Sequence, residues 1–232
     1  MRYREQAPPA SLAPWVECAW TIDPGPALDP HRVLPDGCID LLWSSTQGVH
    51  VIGPMTRALT VSLEPVSRVA GLRFHPGAAP ALLDVRAEEL LDERVEPSDV
   101  LGDDGKRLEE DAAEAASPAD ALRRFAARRA SRSPWPDPLV REAVRRIGAG
   151  RPLGDLGVSE RHLRRRMNAE VGYGPKRLER VLRLRRALAR ARGDGLAAAA
   201  YSAGYADQAH FTNDCVVLAG IPPGRFLQDA AA

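Results

Sequence analysis

Residues Gly204 to Phe226 read GYADQAHFTNDCVVLAGIPPGRF. The segment just before them, Leu196 to Ser202 (LAAAAYS), is rich in alanine and suits a short helix. Gly204 then stands where a tight turn between two helices needs a residue that tolerates left-handed backbone. Asp207 is placed to accept the free amide hydrogens of the next helix's first turn. Phe211, Cys215 and Leu218 recur at helical spacing and give that helix one apolar face. Gln208, Ala209, Thr212 and Asn213 fall on or near the opposite face. These side chains suit base edges: Gln and Asn pair with adenine, while Thr and Ala meet the thymine methyl. Gly220 and then Pro222-Pro223 end the helix, and Arg225 and Phe226 start a short last one. Two helices across a tight turn, the second with a polar outer face, read as the closing half of a helix-turn-helix unit suited to DNA, against an ordinary helical hairpin punctuated by Gly and Pro.

A rougher copy lies upstream in VSERHLRRRMNAEVGYGPKRL, Val158 to Leu178. Ser159 is its N-cap, Leu163 and Met167 point inward, and Arg161, Arg164 and Arg165 point outward. The run Arg164 to Arg166 favours phosphate, with one of the three available to a guanine. Ser159 and His162 are a cap and a first-turn residue, not a nucleophile and its base. Only Pro152 to Leu156 stand where this unit needs a scaffold helix before its turn, so its geometry is in question. Lys176 to Arg192 reads as a linker helix with Leu178, Val181, Leu182, Leu188 and Ala189 inward and its arginines outward. No arginine occurs between Arg192 and Arg225, so the first unit is expected to supply most of the phosphate affinity.

GYADQAHF followed by AGIPPGRF resembles the signature of the AraC/XylS family of transcription regulators. The resemblance runs from about Pro138 to Leu227. It implies two helix-turn-helix units joined by a long linker helix. The expected partners are double-stranded DNA, a second copy of the chain as a homodimer, and RNA polymerase, and no cofactor is expected. RVLPDGCIDLLW and GLRFHPGAAPALL also resemble the N-terminal domain of a subset of AraC relatives of actinobacterial type, which implies an effector pocket or a dimer surface.

Charge divides along the chain. Residues 1–130 carry 14 Lys and Arg against 21 Asp and Glu, while residues 131–232 carry 18 against 10. The net charges of −7 and +8 suit a phosphate-binding C-terminal part and an N-terminal part that binds something else. The 232 residues suffice for two small cores, no run approaches a membrane span, and the N-terminus lacks a signal-peptide pattern. Three scattered cysteines argue against a disulfide framework and a zinc cluster, and point to a reducing cytoplasm.

Within the N-terminal part, Tyr3 to Pro14 is rich in proline and reads as irregular. Trp15 to Ile22, Arg32 to Leu34, Cys38 to Trp43, Val49 to Ile52, Ala58 to Leu63 and Arg68 to Phe74 read as strands, with Asp23 to Asp29 a loop and Asp36-Gly37 a hairpin turn. Helical patterns then cover Ala78 to Leu83, Ala87 to Leu91, Asp103 to Ala116 and Pro118 to Ala130. Leu122, Phe125 and Ala126 form a stripe suited either to a dimer contact or to the chain's own barrel. The expected fold is α+β: a small cupin-like β-barrel or sandwich with helices over residues 1–130, a Pro/Ser linker over 131–138, and an all-α DNA-binding domain over 139–232.

Arg73 alternates with Leu72 and Phe74, so it faces away from the apolar side and either holds an anionic effector or pairs with an internal Asp. Asp36 and Cys38 join it as candidate effector-binding residues, against turn chemistry and simple burial. His31, Asp36, Cys38, Asp40 and His75 lack the cupin His-x-His spacing, so no metal is expected. The competing function is a cupin-type enzyme or small-molecule binder with a degenerate helix-turn-helix tail. The expected function is a sequence-specific, effector-responsive DNA-binding regulator and not an enzyme.

Overall fold

The structure, a computed structural model, describes residues 2–23, 28–63 and 66–229. An N-terminal β-rich domain is followed by a helical C-terminal domain. The strands are β1 (Arg2–Gln6), β2 (Val16–Asp23), β3 (Leu28–Val33), β4 (Ile39–Ser44), β5 (Gly48–Ile52), β6 (Leu59–Leu63), β7 (Val69–Phe74) and the short β8 (Arg94–Val95). Six form an antiparallel sheet in the order β1-β2-β7-β4-β5-β8, and β3 pairs with β6 as a separate ribbon. The two sheets make a sandwich-like arrangement and not the closed barrel that was one expectation, because β1 and β8 end the larger sheet as open edges.

Period-two alternation gives that sheet two unlike faces. Val16, Ala19, Ile39, Leu41, Val49, Val51, Leu72 and Phe74 face a core completed by α1 (Ala79–Leu83), α3 (Asp103–Glu114) and α4 (Pro118–Ala130). Leu122, Phe125 and Ala126 are buried there, so the stripe on α4 packs on its own chain. Ser117 caps α4 by accepting from the Asp120 amide, as its Ser-Pro start suggests. The other face carries Cys18, Arg73 and Asp40 in one cross-strand row and Trp20, Gly71 and Leu42 in the next. Gly71 carries no side chain because the Trp20 ring lies over it: a Cβ there would sit 2.4 Å from the indole.

Further sequence expectations fail in this domain. Residues 2–6 form β1 where an irregular segment was expected; the strand is polar, exposed and at an edge, so nothing in its pattern announces it. Asp36-Gly37 does turn the chain, with Asp36 accepting from the Cys38 amide at 2.9 Å, but joins no hairpin. β3 pairs with β6, and β4 pairs with β5 and β7. The turn instead leans on the helical domain, where Gly37, at φ +83°, leaves a Cβ only 2.8 Å from Leu178. Of the expected loop Asp23 to Asp29, residues 24–27 lie outside the described residues, while Asp23 ends β2 and Leu28 and Asp29 already belong to β3, which starts four residues before the strand expected at Arg32.

A 3-10 turn at Ala87–Leu90 and α2 (Pro97–Leu101) complete the N-terminal domain. The segment at 131–137 is fastened to it by Trp135, whose ring lies 5.4 Å from that of Trp15. The helical domain comprises α5 (Pro138–Gly148), α6 (Glu160–Val171), α7 (Pro175–Asp194), α8 (Leu196–Ser202), α9 (Gln208–Ala219) and α10 (Pro223–Asp229). Its apolar residues form two cores. One joins α5 and α6 to the start of α7 through Val140, Ile147, Met167 and Leu178; the other joins the rest of α7 to α8 and α9 through Leu184, Tyr205, Phe211 and Leu218. On α7, Leu178, Val181 and Leu188 are buried as expected, but Ala189 is exposed and Leu184 and Ala187 take the inward places.

Candidate nucleic-acid interface

The two candidate recognition helices are built as their sequences indicate. α9 starts at Asp207, whose carboxylate accepts from the His210 amide at 2.7 Å. The turn before it runs through Gly204 at φ +86°. Phe211, Cys215 and Leu218 are buried, while Gln208, Ala209 and Asn213 are exposed and Thr212 is half-buried. Thr212 donates its hydroxyl to the Gln208 carbonyl at 2.9 Å, so that hydroxyl is already occupied. α6 starts at Ser159, whose hydroxyl accepts from the His162 amide at 3.2 Å. Leu163, Met167 and Val171 are buried, and Arg161, Arg164 and Arg165 are exposed. Arg165 reaches the His162 ring nitrogen at 3.4 Å; among the described residues neither Arg161 nor Arg164 forms an ion pair. Both remain free for phosphate.

Arg166 is different. It is paired with Asp137, the N-cap of α5, and so ties α6 to α5 instead of to a ligand. The scaffold helix expected before α6 is missing: residues 149–158 form no helix. Arg146 donates to the Leu153 carbonyl, Asp155 accepts from the Gly157 amide at 2.7 Å, and Leu153 and Leu156 pack at the margin of the α5–α6 core. An ordered but irregular segment thus replaces the helix, and the first recognition helix keeps its seat.

The linker-helix arginines are not simply a solvated face. Arg180 and Arg183 donate to the Asp214 carboxylate at 2.7 and 3.3 Å, and Asp214 is 4% exposed. Arg183 also lies over the Tyr205 ring, 4.5 Å from its centre. Arg186 donates to the Ile147 and Gly148 carbonyls at the end of α5, and Arg190 to the Ser202 carbonyl at the end of α8. Cations at those carbonyl ends suit the helix dipoles. Asp214 therefore fixes the second recognition helix to the linker helix. Sequence reasoning missed this role; the signal was an acidic residue at a position whose helical neighbours Phe211, Cys215 and Leu218 are all inward.

The N-terminal domain adds side chains to this surface. Arg86 and Glu88, paired with each other, join Ser159, Arg161, His162, Arg164, Arg165 and Asn168 around an open cleft of about 590 Å³. Arg86 lies in an acidic half of the chain and carries no motif, so the sequence does not reveal it.

The candidate effector residues also come together. Arg73 sits between Asp40, at 3.3 Å, and Asp36, at 3.7 Å, and Asp36 reaches Arg185 of α7 at 3.9 Å. The Cys38 thiol donates to Glu17 at 3.4 Å. The internal-Asp alternative for Arg73 is thus realised. Burial pushes the Asp40 carboxyl up to about 6 even though Arg73 beside it pulls the other way. Burial likewise pushes the Cys18 thiol up to about 11 and Cys215 up to about 12, and all three cysteines are free and buried. Among the described residues no three His, Cys, Asp or Glu side chains converge on a point that could hold a metal ion. Among them, too, no helix is long and apolar enough to cross a membrane.

Comparison with known proteins adds the following. Residues 4–96 match the model of a domain of unknown function (DUF6597), and residues 154–229 match that of a helix-turn-helix domain. No curated protein matches the chain. Two similar solved structures are of ToxT from Vibrio cholerae. An apo variant is 14% identical with a TM-score of 0.44, covering 91% of this chain and 96% of that one. Another crystal form is 11% identical with a TM-score of 0.42, covering 99% of both.

Proposed function

We propose, from the premise that residues 154–229 are an AraC-type helix-turn-helix domain, that this protein is a sequence-specific DNA-binding transcription regulator. The observation that carries the reading is the pair of capped helices, α6 and α9, each with a buried apolar face and an exposed face of DNA-compatible side chains. Arg161, Arg164 and Arg165 hold the phosphate backbone. Gln208, Ala209 and Asn213 read base edges, and Thr212 offers its methyl to thymine. Successive major-groove faces lie about 34 Å apart, and α7 holds the two helices on one side of the duplex. The domain boundary falls at residues 131–138.

Effector response, homodimerisation and contact with RNA polymerase are the finer parts of the reading and rest on the family resemblance, and the cytoplasmic location rests on the free cysteines. With the α4 stripe taken by its own core, a dimer needs another surface. An effector at Arg73, Asp36 and Cys38 meets a guanidinium already matched by two carboxylates. An anionic ligand there must displace one of them, so a ligand with both a donor and an anionic group fits best.

The test is mutational. Arg164→Ala or Arg165→Ala weakens binding to all duplexes and lowers the salt slope by about 0.9 per phosphate lost. Gln208→Ala changes which base is preferred at one position, by about 1–3 kcal/mol. Unchanged preference in the Gln208 variant contradicts the assignment of base reading to α9.

A further inference from the structure

The C-terminal ends of α6 and α9 meet the same short stretch of the N-terminal domain, residues Pro54 to Ala58. At α6, the helix-ending Gly172 lies so close to this stretch that a Cβ on it would be 2.5 Å from the Pro54 Cγ and 3.2 Å from the Ala87 carbonyl. At α9, the Ala58 amide donates to the Leu218 carbonyl at 2.7 Å. Arg32, on the β3 strand paired with β6, donates to the Ala219 carbonyl at 3.2 Å. The last carbonyls of a helix have no partner within it, so these two donors complete the end of α9 from another domain. Four residue steps span no more than about 14 Å, so the stretch fixes an upper limit on the separation of its two attachment points.

The stretch is itself held. Thr56 donates its amide to Asp92 at 2.5 Å and its hydroxyl to the other carboxylate oxygen at 2.6 Å. The Asp92 amide returns a hydrogen bond to the Pro54 carbonyl at 3.0 Å, and the Gly53 amide donates to the Glu93 carbonyl at 2.9 Å. Asp92 holds this position in left-handed backbone, at φ +60°, which Asp tolerates better than most residues.

We infer that Pro54 to Ala58, clasped by Thr56 and Asp92, is a brace that sets the separation and relative orientation of the two recognition helices and so selects the spacing between half-sites on DNA. Thr56 and Asp92 act as positioning residues: their side chains hydrogen-bond within the clasp, and the Pro54 ring and the Ala58 amide make the contacts to α6 and α9. The linker helix α7 alone joins the two units along one line; the brace closes a second connection between them through the N-terminal domain. The role in spacing rests on the DNA-binding reading, whereas the mechanical role does not.

Two measurements on the full chain separate these. In the first, spin labels at Glu160→Cys on α6 and Ala209→Cys on α9 report the distance distribution between the recognition helices by pulsed electron resonance, the three native cysteines being buried. The expected result is a narrow distribution that at least doubles in width with Asp92→Ala and with the milder Thr56→Val. An unchanged width in folded variants overturns the brace without reference to DNA. In the second, unlabelled proteins are titrated with duplexes whose half-sites are separated by nine to twelve base pairs, a range of about one helical turn. The wild type is expected to prefer one spacing at least tenfold, and both variants to lose at least threefold of that preference with single half-site affinity unchanged. Broadened distances with the wild-type spacing preference intact overturn the link from brace to spacing. A wild type that binds no duplex in a salt-dependent way refutes the DNA-binding reading instead.

Discussion

Replacing Asp214 with Ala removes the acceptor that both Arg180 and Arg183 share. The two cations lose differently. Arg180 is 39% exposed at its side chain and can turn to water, so its share is small. Arg183 is 20% exposed, its Nε is already buried without a partner, and the Tyr205 ring covers it. Breaking a buried pair by removing one partner costs about 3–5 kcal/mol where the remaining charge stays buried. With one arginine largely relieved by solvent, about 2–3 kcal/mol is the expected cost. For a chain of this size each kcal/mol moves Tm by about 2–4 °C, so Asp214→Ala should lower it by about 4–12 °C in thermal unfolding followed by circular dichroism. A cycle with Arg183→Ala isolates the pair, and a coupling energy of about 1 kcal/mol or more is expected. A Tm within 1 °C of wild type, together with zero coupling, would refute the claim that Asp214 anchors the second recognition helix.

Two further outcomes follow from the geometry. Gly172→Ala forces a side chain onto left-handed backbone at φ +90° and against Pro54, which should cost about 2 kcal/mol or more; an unchanged Tm would mean the two domains are not in contact there. Asp40 binds its proton more tightly in the fold, at about 6 against an ordinary 3.8, so it favours folding below the ordinary value and that contribution is lost as pH rises through about 6. The stability of wild type relative to Asp40→Asn should therefore fall between about pH 4 and pH 6.5 and then level off, and a difference that rises over that window contradicts the burial of this carboxylate.

The helical domain was legible because its signals are local. Ser159, Asp207, Gly204 and Gly220 act within one turn of themselves, and the inward spacing of Phe211, Cys215 and Leu218 needs no partner to be read. The N-terminal topology was less legible because strand pairing depends on distant residues. Asp36-Gly37 has the chemistry of a hairpin turn, yet the contact of Gly37 with Leu178 and the pairing of β3 with β6 decide where the flanking strands go. The same limit hid the roles of Asp214, Arg180 and Arg183. Each looks like an ordinary surface charge until α7 and α9 are packed, and only then does the carboxylate lie between the two guanidiniums. Arg73 fell between these cases: alternation placed it on the correct face, but only the cross-strand register brought Asp40 to it.

The central claim is that α6 and α9 together read DNA, and selection of the full-length protein against random duplexes, with binding then followed against salt, tests it most directly. The account predicts an enriched motif of two half-sites about one helical turn apart, with a salt slope of about −2.7 if Arg161, Arg164 and Arg165 each hold one phosphate. Weak binding without a motif and with a shallow salt dependence would contradict it.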